Sequence, residues 1–214
     1  MKPRMTLICI GVTACILLNI LIFQNILNDR SAKIDRRRGF IPEEFLERFE
    51  KSDRVILEKE LYSEMDRYSK DPVFWNFLGS VQVSNGNLKD ALKSFNMSLS
   101  LDSNWKTSFN RAQTLLSMGE YAVSLRQFQD LHESAPDGFF SNVCAFSASI
   151  ASLKMNDGSH IPELELPDEW MAYYNYARMI ESGKSTPLPP PASEQSPVSK
   201  VCMDIIRSAG IYEK

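Results

Sequence analysis

The sequence predicts an all-α protein, a short stack of helix–turn–helix units behind one membrane-crossing helix. Three observations carry that reading. Residues 5–23, "MTLICIGVTACILLNILIF", contain no charge. Beyond residue 40, apolar residues recur three and four apart, with no sustained period-two alternation. The small and aromatic residues of 72–104 return about 33 residues later.

The apolar run comes first. Nineteen helical residues span roughly 28 Å, close to the hydrocarbon thickness of a bilayer. A cleaved signal peptide has an apolar core of about 7–15 residues and a small-x-small site. Here the run is longer and passes into "FQNILNDR" without such a site. The expectation is a retained anchor over residues 5–27, after a short basic N-terminus, 1–4. Asn19 is its one strongly polar residue and either reaches the interface or bonds a partner helix. Lys2 and Arg4 precede the anchor; Arg30, Lys33, Arg36, Arg37 and Arg38 follow it within the linker 28–41. Counting Lys and Arg leans the C-terminal side towards the cytoplasm, while a short basic N-terminus ahead of an apolar run also begins many exported proteins held N-in. The localisation expected is that of a single-pass protein of a bacterial inner membrane. The arginine cluster also suits anionic headgroups, at ~1 kcal/mol per basic residue.

Composition narrows the function. The chain has 214 residues and a net charge of −3, so no whole-chain attraction to nucleic acid is expected. His132 and His160 are its only histidines, which leaves little room for a histidine metal site or a triad. Cys9 and Cys15 lie in the apolar run, and Cys144 and Cys202 have no CxxC spacing. Cys144 reads as a small core residue. Glu163 and Glu165 stand near His160 in a polar loop, where solvation is the default. No glycine-rich phosphate loop occurs. The chain is expected to bind without catalysis, cofactor or metal.

The helices follow in order. Residues 42–51 open with Pro42 in a first turn. Residues 53–69 start at Asp53 as N-cap and present Ile56, Leu57, Leu61, Met65 and Tyr68 on one face. Together 42–71 make one degenerate unit. Moving 33 residues onward takes Gly79 to Ala112, Gly86 to Gly119, Leu88 to Tyr121, Ala91 to Ser124, Leu92 to Leu125 and Phe95 to Phe128. Two tandem units are therefore expected, 72–104 and 105–138. Residues 139–183 supply a further degenerate unit, "FFSNVCAFSASIASLK" then "DEWMAYYNYARMIES". The stretch 184–197 is rich in Pro and Ser and reads as a spacer or a proline ligand. In 198–214, Val201, Ile205 and Ile206 return to helical spacing. That helix caps the stack or serves as a docking peptide.

The first unit, with Trp75, Leu78-Gly79, Gly86, Ala91 and Phe95, resembles the tetratricopeptide repeat (TPR). The second matches through Asn110, Ala112, Gly119, Ser124, Phe128 and Pro136, without the tryptophan or first glycine. The resemblance implies a short right-handed α-solenoid. It also implies a concave groove built by the first helix of each pair. Carried over, that groove presents Asn76, Ser80, Val83, Ser84, Phe109, Asn110, Gln113 and Leu116. The subgroup that holds acidic chaperone tails needs lysine and asparagine where Asn76 and Ser80 stand, and only Asn110 fits. The implied partner is an extended segment or helix of another protein. The implied function is a membrane-anchored interaction scaffold or assembly factor. The alternative is an accessory subunit of a membrane-associated enzyme or secretion complex.

Overall fold

The computed structural model describes residues 40, 45, 54–155, 166–184, 186–189 and 197–211. Among them every regular element is a helix: α1 Arg54–Tyr68, α2 Pro72–Ser84, α3 Leu88–Leu101, α4 Trp105–Ser117, α5 Tyr121–Glu133, α6 Gly138–Lys154, α7 Asp168–Glu181 and α8 Val198–Ser208. No helix among the described residues is long and apolar enough to cross a membrane. The anchor expected at 5–27, the basic linker except for Phe40, and the Asp53 cap lie outside the described residues, as does 42–51 except for Phe45, which is helical.

Helix starts recur on a strict step. Asp71 Oδ1 accepts the backbone N–H groups of Val73 and Phe74, at 2.8 and 3.3 Å. Asn104 Oδ1 accepts those of Lys106 and Thr107, at 2.9 and 3.3 Å. Asp137 Oδ1 accepts that of Phe140 at 3.0 Å. These caps satisfy donors that a helix leaves unpaired, at ~0.5–2 kcal/mol each. Asp71 does more: its Oδ2 accepts the Phe40 N–H at 2.7 Å. The Phe40 ring then packs against Phe45, Tyr68, Phe74 and Phe77.

Helix ends recur too. After α2 the Gly86 N–H reaches the Val83 carbonyl at 3.0 Å and the Asn87 N–H reaches Gln82 at 2.8 Å. After α4, Gly119 reaches Leu116 at 3.1 Å and Glu120 reaches Leu115 at 3.0 Å. Gly86 and Gly119 hold φ of 79° and 83°, left-handed angles that cost a residue with a Cβ. The turns fold α3 onto α2 and α5 onto α4. Inside the first hairpin Gly79 meets the fully buried Phe95. Inside the second, Ala112 and Phe128 are both fully buried. Trp75 and Leu99, in register with them, are only half-buried. The Trp75 Nε1–H instead reaches the Ser69 carbonyl at 2.8 Å.

α1 packs on α2 through four of the five residues expected, with Met65 and Tyr68 against the same core as Leu57 and Leu61. Leu57 and Leu61 are buried, but Ile56 is 52% exposed and Glu58 is buried in its place. The cause is polar. Glu58 accepts the amide of Asn85 at 2.6 Å and that of Asn87 at 3.0 Å, clasping the α2–α3 turn.

The C-terminal half centres on α6, buried without a break from Val143 to Ser152. α7 runs in the same direction as α6. Trp170 at the start of α7 lies 5.8 Å from the Phe139 and Phe146 rings, and Glu181 at its end pairs with Lys154 at 3.0 Å. The pair is thus unlike the antiparallel hairpins before it. α8 packs on α7, α6 and α4, and one apolar core joins α4 to α8.

Candidate interaction face

All eight residues expected along the groove are buried. They divide by what they touch. Asn76, Ser80 and Ser84 lie four apart on α2, and the Ser80 and Ser84 hydroxyls each bond the carbonyl one turn back, at 3.0 and 2.9 Å. Asn110 Nδ2 donates to Asn76 Oδ1 at 3.1 Å, joining α4 to α2. Gln113 Nε2 donates to Ser147 Oγ at 3.4 Å, joining α4 to α6. Both bonds link positions 34 residues apart, so α2, α4 and α6 lie side by side. Asn76, Asn110 and Gln113 therefore sit in seams between first helices.

The other expected residues face elsewhere. Val83 packs with Ala91 and Phe95 inside the first hairpin. The Phe109 ring meets Phe128 edge-on at 5.6 Å inside the second. Leu116 belongs to the core shared with α6, α7 and α8. Small side chains and hydroxyls that bond their own helix keep the seams close-packed. Gln113 Oε1 is the buried side-chain polar atom left without a hydrogen bond among the described residues.

No family model, curated protein or solved structure matches the chain. Its interaction chemistry must come from its own geometry. α8 packs on α4 and α6, and its Val198, Val201, Cys202, Ile205 and Ile206 are all buried. Sequence reasoning found the α8 stripe but not its seat. Nor did it find Glu58, whose Asn partners lie 27 and 29 residues downstream.

The titratable groups are mostly structural. Burial pushes the Cys144 thiol well above its ordinary value, and burial followed by the Glu169 charge does the same to Cys202. Neither suits a nucleophile, which needs thiolate. His132 is half-buried, with Nδ1 lying 2.9 Å from Ser141 Oγ and 3.0 Å from the Ser141 carbonyl. That contact clasps α5 to α6. Among the described residues no group of three or more His, Cys, Asp and Glu side chains could hold a metal ion.

Proposed function

We propose that the chain is a membrane-anchored scaffold or assembly factor. In this reading residues 5–27 hold a short TPR-like α-solenoid at the bilayer, and the solenoid binds a segment of a protein partner. The observation that carries it is the recurrence of whole local devices on one step. Caps stand at Asp71, Asn104 and Asp137, and the same glycine turn stands at Gly86 and Gly119. Side-chain bonds join equivalent positions of neighbouring first helices. Units of this kind bury their apolar faces by stacking, and a stack offers an extended surface suited to long, irregular partners.

The test uses membranes carrying the tagged full chain. The chain should remain in the membrane through an alkaline carbonate wash. After detergent solubilisation, capture should bring down one protein in near-stoichiometric amount, and Gly79→Leu should lose it. A chain extracted by carbonate, with no reproducible companion, sinks the reading.

A further inference from the structure

We propose that α8 is a displaceable, built-in ligand, and that the surface it covers on α4, α6 and α7 receives an amphipathic partner helix of the same apolar spacing. The argument goes beyond the scaffold reading and stands on the packing of α8 itself. Val198, Val201, Cys202, Ile205, Ile206 and Ala209 fall three and one apart, form one stripe and are buried. The seat spans helices that are distant in the chain, reaching back past α5 to α4. A helix seated by its apolar stripe across other helices is the geometry of helix-in-groove recognition.

The attachment permits release. Residues 184–197, "KSTPLPPPASEQSP", join α7 to α8. Fourteen residues reach roughly 45–50 Å when extended, enough to clear the seat while staying tethered. Leu188 in this stretch is 53% exposed. The fully buried Tyr173 donates its hydroxyl to the Pro189 carbonyl at 3.2 Å, the tie that release breaks.

α8 also buries a carboxylate. Asp204 is buried on α8, and Arg207 of the same helix lies 3.9 Å away, beyond hydrogen-bond distance. An occupant with the same apolar stripe and an amide in place of the Asp204 carboxylate avoids burying that carboxylate. The partner chemistry is thus a neutral-faced amphipathic helix.

The test keeps the full chain, in detergent, with a specific protease site replacing residues 191–196. The probe is a fluorescein-labelled peptide of residues 197–214, followed by anisotropy. Before cleavage the tethered helix, at an effective concentration near millimolar, should suppress peptide binding about a hundredfold or more. After cleavage the peptide should bind one site and release the original segment. A peptide carrying D204N should bind more tightly, and one carrying V201D and I205D should not bind. The proposal is overturned if the cut chain keeps its own segment and takes up no probe. Collapse of helical circular dichroism on cleavage overturns it as well, since α8 would then be integral to the core. A chain that captures a partner while α8 never exchanges overturns this proposal and leaves the scaffold reading standing.

Discussion

Gly79 has no room for a side chain: a Cβ built there would lie 2.6 Å from Phe95 Cε1 and 2.8 Å from Cδ1. Phe95 is fully buried and has nowhere to retreat. Gly79→Leu should therefore cost ~1–3 kcal/mol and lower the melting temperature by several degrees. A variant melting with the wild type would remove Gly79 from that contact. The second hairpin carries Ala112, fully buried, at the same station. Glu58 tests a different force. Glu58→Ala leaves the Asn87 amide without its carboxylate and should cost ~1–3 kcal/mol, read from urea unfolding. An unchanged midpoint would mean that water replaces the carboxylate freely. The glycine was legible because its spacing repeats. The glutamate was not, because an acid on a helix reads as solvated until its partners are folded beside it.

Among the elements, α8 carries the clearest pH signature. Burial pushes the Asp204 carboxyl up to about 7, against the partial opposition of Arg207 and Lys200. The folded chain therefore holds a proton that the unfolded chain releases near 3.8. Stability from this group is complete below 3.8, declines as pH rises, and is gone above about 7. Asp204→Asn should flatten that decline in a series of thermal melts across this window. If both proteins fall in parallel between the two values, Asp204 is not the cause. The helical class and the hairpins α2–α3 and α4–α5 were legible, since caps, turn glycines and apolar spacing are local signals. The direction of α7 was not. Residues 156–167 are long enough to return a helix either way, and the choice rests on Trp170 finding Phe139 and Phe146. Helical periodicity could mark Asn110 and Gln113 as one face, but could not say that Asn76 and Ser147, each 34 residues away, meet them there.

For the whole molecule, the proposed division into anchor and body makes the simplest prediction. Removing residues 1–28 should leave a soluble chain with undiminished helical circular dichroism. An insoluble product without helix would mean that the body needs what was removed. Sidedness needs an added reporter. Cys144 and Cys202 are fully buried, so both should resist a membrane-impermeant thiol reagent until the protein is denatured. The exposed Ser103, changed to Cys, should react in the purified folded protein. In intact cells it should stay unlabelled if the body faces the cytoplasm. Labelling there would put the body outside and redirect the search for partners to the exported proteome.

The same-direction step from α6 to α7 has a consequence for growth. An array of antiparallel hairpins carries no instruction to stop, because the last unit presents the same surface that the first one met. Here the chain breaks its own rule of alternation after α6. A helix running the same way as its predecessor cannot serve as the returning arm of a hairpin, so the pattern set at α2–α3 and α4–α5 is not continued by α6 and α7.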